Sequence, residues 1–320
     1  MQENKGTAVV AIGGNAIYAG EAPATIEVQV EAANELAKQI VAMAKQGWKV
    51  ILTHGNGPQV GFIMRRSDIA SEVDSSLPVL TLDVAGAQSQ GGLGFILSSA
   101  FQRALSAAGV DQDVVAVVSH TVVDEGDPAF ATPTKPIGSF YEEEEAHKLA
   151  QENDWTIVED SGRGWRRVVA SPKPVRIVED EAIKALVDSG FLVIGAGGGG
   201  IPVVEDEDGG LTGVEAVIDK DFASALLATN VEASLLAVTT GVDQVAINFG
   251  TPDQENLHHV TASKMREYLE EGQFPPGSMG PKIEAALEYL DAGGKEVLIT
   301  SPGSLQEALE GSTGTWITAD

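Results

Sequence analysis

Apolar residues in this chain fall into two recurring patterns: short continuous runs, and longer stretches where they return every third or fourth position. The runs at 7–12, 48–53, 113–119, 191–194, 233–238 and 296–300 predict strands, of buried type at 191–194 and 233–238 and central at 296–300, and 314–318 an edge strand. Between 26 and 46 apolar residues recur at Val30, Ala33, Leu36, Ala37, Ile40, Val41 and Ala44, the stripe of an amphipathic helix that stops at Gly47. Further helices are predicted over 84–108, 222–230, 261–271 and 281–290. Gly86, Gly91, Gly92 and Gly94 within the first of these predict close packing against a neighbouring element.

Several predicted strands end in glycine. The first runs into Gly13-Gly14-Asn15, the second into His54-Gly55-Asn56-Gly57-Pro58, with Pro58 placed to start a helix. The run 191–194 leads into five glycines within 195–200. Ligands of open parallel sheets bind at the carboxyl ends of strands, so these turns predict backbone amides converging on one anion. Gly195, Gly197 and Gly200 also fit the dinucleotide spacing G-x-G-x-x-G, with Asp219 about twenty residues on, where an acid for a ribose would stand. That fingerprint requires a helix to open at the glycines, whereas Ile201-Pro202 and an acidic turn follow, so the match reads as accidental. A blander alternative treats the glycines as a tight crossing between elements.

Beyond the glycines, Asp219, Lys220 and Asp221 alternate charge at a predicted helix start. Lys282 occupies the first turn of another helix, after the loop FPPGSMGPK. Lysine in a first turn opposes the helix dipole: Lys220, beside two carboxylates, needs work to do or a partner, and an anion sharing its space explains Lys282, the alternative being a solvent-facing lysine. From 124 to 176 periodicity breaks down among prolines and glycines, predicting an inserted strand-and-turn subdomain with an acidic helix at 142–151, able to lie over a ligand as a lid. Among its cations, Lys135 is braced by Pro136, and Arg163, Arg166 and Arg167 surround Trp165; the plain readings are an exposed loop charge for the lysine and a salt-bridged hairpin for the arginines. His54 reads as a structural histidine bonded within its turn, and His258-His259 as a surface pair.

With 320 residues, 43% of them hydrophobic, the chain suits one large α/β domain or two tightly joined ones. No apolar run approaches a membrane span, no signal sequence opens the chain and cysteine is absent, so a cytoplasmic protein is expected, with no disulfide and no thiolate metal site. The formal net charge of -27 argues against nucleic acid or an anionic membrane as partner.

Glycine turns, two lysines at helix starts and a carboxylate between them suit phosphoryl transfer, where catalysis is mainly positioning and charge neutralisation. The P-loop pattern and the protein-kinase motifs are absent. Through AIGGNA at 11–16, THGNGPQVG at 53–61, DPAF, PTKPIGSFY, GRGWRRVVASP at 162–172, GGGGIPV, GVEAVIDKD and GSMGPK, the chain resembles the carbamate kinases of the amino-acid-kinase superfamily over nearly its whole length. Alanine at 170 departs from the proline expected there, outside the proposed chemistry.

The resemblance implies a three-layer α/β/α sandwich around a mainly parallel open sheet, one domain over 1–320 with a lid at 124–176. Its N-terminal half would hold the carbamate and phosphoryl site, and 191–320 the nucleotide. It implies reversible phosphoryl transfer between ATP and carbamate, giving ADP and carbamoyl phosphate, with Mg²⁺ on the nucleotide and no metal ligand assigned to the protein. It also implies a homodimer, working mostly towards ATP in arginine breakdown. By motif match, Lys220 and Lys282 stabilise the phosphoryl group, Asp221 organises them, and Lys135 reaches the carbamate. Gly13, Gly14, Asn15, Gly55, Asn56, Gly57, Gly198 and Gly199 line the transfer site. Asp219, Thr240, Gly241 and Met279 are assigned to the nucleotide. The alternatives are a non-catalytic sensor of nucleotide or carbamoyl phosphate on the same scaffold, separated by turnover, and a dehydrogenase, separated by whether NAD rather than ATP raises the melting temperature.

The charge balance makes a prediction of its own. If the acidic surface is an adaptation to salt, the melting temperature climbs as salt is raised into the molar range, and a flat response in a thermal melt excludes that reading.

Overall fold

The computed structural model describes residues 5–17, 25–160, 162 and 164–320, leaving aside the side chains of Asn15 and Ser139. Among these residues eight strands form the central sheet, in the spatial order His259–Thr261, Thr315–Thr318, Glu296–Thr300, Leu235–Thr239, Gly6–Ile12, Trp48–His54, Leu192–Ile194 and Val114–Ala116. The six from Glu296–Thr300 to Val114–Ala116 are parallel, and Thr315–Thr318 turns antiparallel against Glu296–Thr300.

Alternate residues of these strands feed two separate cores. Val9, Ala11, Ile51, Leu236, Val238 and Ile299 pack with residues of the helices Asp180–Asp188, Lys220–Asn230, Ala262–Glu270 and Met279–Asp291. Ala8, Val10, Ile12, Leu52, Leu235 and Leu298 pack instead with Ile26–Lys45, Leu82–Ala107 and Leu305–Leu309. A period-two backbone with apolar side chains at every position must be covered on both sides, which is why continuous apolar runs became the middle of a three-layer α/β/α sandwich.

Two sequence expectations shift at the sheet margin and in the long helix. Thr315–Thr318 is not the edge, because the three-residue strand His259–Thr261 pairs with it in parallel and covers its outer side. So short a strand leaves no periodic signal. The long helix begins at Leu82 rather than 84, since the Glu215 carboxylate accepts from the Leu82 amide at 2.9 Å and satisfies a donor that the local sequence leaves open. Close packing of its glycines holds at Gly94, where a Cβ would stand 3.0 Å from the Ala116 methyl, while Gly86, Gly91 and Gly92 have open space around them.

A second sheet runs Leu211–Gly213, Ile201–Glu205, His120–Val123 and Pro174–Ile177. In the chain, between His120–Val123 and Pro174–Ile177, lies a third, antiparallel sheet of Lys135–Tyr141, Trp165–Val169 and Thr156–Glu159, with the helix Glu143–Asn153. This subdomain rests on the helix Gly57–Val73 through a small apolar cluster of Val60, Met64, Ile137, Val169 and Val217. At the contact Gly61 faces Gly138, and a Cβ on Gly61 would fall inside contact distance of the Gly138 backbone. Backbone has no rotamer with which to yield, so Gly61→Ala is expected to separate helix and strand. The expected cost is about 1–3 kcal/mol, with faster proteolytic cleavage within 135–169; unchanged melting and cleavage would refute the contact's role.

Candidate active site

The cleft at the carboxyl end of the central sheet encloses about 520 Å³. Three turns and two helix starts surround it. Gly13 follows the strand Gly6–Ile12, and its amide donates to Thr239 Oγ1 at 3.3 Å, which ties the first turn to the neighbouring strand end. Gly55 follows Trp48–His54 and donates to the Ile12 carbonyl at 2.9 Å. A Cβ on Gly55 would stand 2.8 Å from the Gly14 nitrogen, so two glycines are what let these turns touch.

The five glycines of 195–200 serve mainly their neighbours. A Cβ at Gly197 would strike the His54 ring, at Gly198 the Asn56 carboxamide, at Gly199 Ile218 and at Gly200 Thr121. Gly198, Gly199 and Gly200 also have positive φ, where a side chain strains the backbone. A 3₁₀ turn at Gly197–Gly199 leads straight into the strand Ile201–Glu205, so no helix opens there and the dinucleotide spacing is incidental. Asn56 donates to Ser89 Oγ at 2.7 Å, and Gln90 donates to the carbonyls of Gly197 and Ser119, both at 3.0 Å. The long helix thereby holds the turn from beneath.

At the floor, Asp219 caps the helix Lys220–Asn230 by accepting from the Asp221 amide at 2.9 Å. Lys220 Nζ meets Asp221 Oδ1 at 2.5 Å, and Lys282 Nζ, from the first turn of Met279–Asp291, meets Asp221 Oδ2 at 2.8 Å. The Asp221 side chain is 4% exposed. Burial pushes its carboxyl up, but the two ammonium groups outweigh that and hold it well below the usual carboxylate range. Burial pushes the Lys220 ammonium down, and the nearby Lys282 charge adds to this while Asp221 opposes it. Lys135, from the three-stranded sheet, reaches across the cleft to Asp219 Oδ2 at 2.5 Å.

The remaining expected residues are placed as follows. Gly13, Gly14, Gly55, Asn56, Gly57, Gly198, Asp219, Thr240 and Gly241 line the cleft with the three lysines and Asp221. Gly199 packs under Ile218 instead, and Met279 against the hydrophobic core. The backbone of Asn15 lies in the short helix Gly14–Ile17, its side chain being outside the described residues, as is the whole of Arg163.

Arg166 lines the cleft as well. It bonds Asp160 at 3.1 Å and the Gly138 carbonyl at 3.0 Å and lies over the Phe140 ring, so the hairpin reading describes it and it faces the site too. Its neighbour Arg167 stacks on Trp155, the opposite assignment that strand alternation requires. Thr239 was legible only as the residue ahead of Thr240-Gly241; its bond to Gly13 is a tertiary fact.

Among the described residues, no group of three or more His, Cys, Asp or Glu is placed to hold a metal ion, and no helix is long and apolar enough to cross a membrane. The charged residues lining the cleft, among those described, are four cations and two carboxylates, a positive pocket in a chain of net charge -27. Buried positive charge next to free backbone amides is suited to a phosphoryl group.

Comparison with known proteins agrees with this chemistry. The model of the amino acid kinase family matches residues 6–301. The carbamate kinase-like protein YahI of Escherichia coli is 50% identical over 97% of this chain and 98% of its own length. The carbamate kinase of Thermococcus kodakarensis is 47% identical over the same shares. The structure of carbamate kinase from Giardia lamblia bound to AMP-PNP superposes with a TM-score of 0.91 at 41% identity, covering 100% of both chains.

His54 yields a prediction. It is 1% exposed, bonded through Nδ1 to the Gly55 carbonyl at 3.1 Å, and burial, with the Lys220 charge adding to it, pushes its pKa down to about 4. The fold thus favours the neutral ring: its contribution to stability is intact above the ordinary value of 6.5 and is lost as pH falls from there through about 4. The ring-proton shifts of His54 in an NMR titration should move with a midpoint near 4, and a midpoint near 6.5 would contradict its burial.

Proposed function

Because this chain belongs to the amino acid kinase family and is a phosphotransferase, we propose that it is a carbamate kinase, moving a phosphoryl group reversibly between ATP and carbamate to give ADP and carbamoyl phosphate. The observation that carries this reading is the Asp221 carboxylate clasped by Lys220 and Lys282 beneath converging glycine turns. In the direction of ATP synthesis, the bond between phosphorus and the carbamoyl oxygen breaks. A bond from phosphorus to a terminal oxygen of ADP forms, and carbamate leaves as an anion carrying the electron pair.

Negative charge moves between the two end oxygens during this exchange and is spread over the three equatorial oxygens throughout. Lys220 and Lys282 are positioned to neutralise it from the floor, while Asp221 keeps two like charges together that would otherwise repel. Amides of Gly14, Asn15, Asn56, Gly57 and Gly198 are assigned to the phosphate oxygens, with Gly13 and Gly55, whose own amides are engaged, shaping the turns that present them; Lys135 and Arg166 are assigned to the carbamoyl end. The adenine is assigned to the side of Thr240 and Gly241, with Met279 acting through the helix it opens.

Mg²⁺ belongs to this reading as part of the nucleotide substrate. The buried carboxylate Asp221 is already engaged by both floor lysines, which fits a metal carried on phosphate oxygens rather than in a protein cage. There it would add charge neutralisation to that of the lysines. The segment 124–176 is proposed as a lid on the carbamoyl side, and 191–320 as the nucleotide half. A homodimer in the cytoplasm, working towards ATP in arginine breakdown, completes the proposal. The net charge of -27 supports small anionic substrates drawn to a local positive pocket rather than nucleic acid or membrane.

The test is ATP formation from ADP, Mg²⁺ and carbamoyl phosphate in a coupled assay. Turnover is expected with carbamate as acceptor in reverse, and none with acetylglutamate, aspartate or UMP. Lys220→Ala and Lys282→Ala should each lower kcat about 10²- to 10³-fold, the scale of losing one charge partner of a transition state. Full activity in either variant would overturn the roles, and turnover of a larger acceptor alone would overturn the substrate.

A further inference from the structure

The contact that the proposed chemistry does not use is the one between Lys135 and Asp219. Lys135 belongs to the strand Lys135–Tyr141 of the three-stranded subdomain, while Asp219 stands immediately before the helix Lys220–Asn230. They meet across the cleft at 2.5 Å, 84 residues apart in sequence. The two oxygens of Asp219 have separate tasks. Oδ2 takes Lys135, and Oδ1 accepts from the Asp221 amide and so fixes the first turn in which Lys220 and Asp221 sit.

One carboxylate therefore links the position of the inserted subdomain to the helix start that carries the buried charges. The pair is also the exchangeable one at this site. Asp221 is 4% exposed and gripped from both sides, whereas the side chains of Lys135 and Asp219 are 33% and 18% exposed at the mouth of the cleft. A partly solvated pair is worth little next to a buried one, so an anion entering the cleft can displace Asp219 from Lys135 without disturbing Asp221.

We propose that Asp219 is a positioning residue, a resting partner that holds Lys135 out of the substrate's reach through Oδ2 while capping the catalytic helix through Oδ1, so that an incoming anionic substrate must take Lys135 from it. This rests on the reading of the site as a carbamate kinase. Before substrate binds, Lys135 is neutralised by Asp219. Afterwards Lys135 belongs to the carbamoyl phosphate, and the freed Oδ2 faces a cleft that still contains the two floor lysines. The competition lowers the apparent affinity for the anion by the fraction of time Lys135 is engaged.

The substitution Asp219→Asn separates the two tasks, because asparagine caps a helix as well as aspartate does but carries no charge for Lys135. The expected result is a KM for carbamoyl phosphate lowered about two- to fivefold, the worth of a partly exposed ion pair, with the melting temperature lowered by no more than about 2 °C. In a Lys135→Met background the same substitution should leave KM where Lys135→Met alone puts it. A KM that is unchanged or raised in Asp219→Asn, or the same fall in the Lys135→Met background, overturns the proposal.

A second measurement stands apart from any turnover. Acylation of Lys135 in the ligand-free protein, followed by peptide mass spectrometry, should run about two- to fivefold faster in Asp219→Asn than in the unaltered chain. An unchanged labelling rate refutes the pairing whatever the chain phosphorylates. Absence of turnover with carbamoyl phosphate, together with faster labelling, would refute the assigned substrate and leave the pairing standing.

Discussion

A buried carboxylate between two ammonium groups fixes the geometry of this protein's working end. Asp221, alone in that position, would be an uncompensated charge costing several kcal/mol, and either lysine alone there would be no better. Together they form a cluster with a surplus of one positive charge, and each lysine is anchored by a helix that is itself buried. Ala225 and Leu227 of one helix and Ile283 and Ala286 of the other belong to the same core beneath the central sheet. The hydrophobic packing therefore sets the distance between the lysines, and the carboxylate makes that distance tolerable. Both helices also point their amino ends at the cleft, where the dipole disfavours a lysine and favours an anion. The arrangement is stable with Asp221 in place and still attracts a further negative group.

The glycine turns depend on that arrangement in a different way. Their bareness is dictated largely by side chains of neighbouring turns: His54 fills the space above Gly197, Asn56 that above Gly198, and Thr121 that above Gly200. The strand ends consequently lock into each other. His54 stays neutral inside this lock, Asn56 is braced by Ser89, and Gln90 ties the glycine turn to the long helix. Amides presented by such a set are rigid because every turn is held by another turn, which is the condition for electrostatic stabilisation without reorganisation.

Electrostatics outside the cleft follow the opposite rule. Most of the remaining ion pairs, such as Lys38 with Glu35 or Lys264 with Glu267, are exposed and individually weak, and the excess of acidic residues lies on the solvated surface. The strong pairing is concentrated where water is scarce. The inserted subdomain marks the boundary between the two regimes. It docks on the helix Gly57–Val73 by a backbone contact at Gly61 and Gly138, and it sends Lys135 and Arg166 into the cleft from the solvent side.

Much of this was written locally in the chain. Continuous apolar runs announced strands, Pro58 announced a helix start, and Lys220-Asp221 and Lys282 announced themselves by standing where the helix dipole opposes a lysine. Periodicity and propensity act over a few residues, so they determined the type of each long element and singled out the charged positions. What they could not contain were relations between distant residues. That Lys220 and Lys282 share one carboxylate, that Asp219 holds Lys135 across 84 residues, and that Glu215 starts a helix at Leu82 were decided by the folded arrangement. So were the edge position of His259–Thr261, the separation of Arg166 from Arg167 onto opposite faces, and the packing of Gly199 and Met279 away from the cleft. A side chain's period says which way it points along its own element, but only the stacking of one element on another says what it meets.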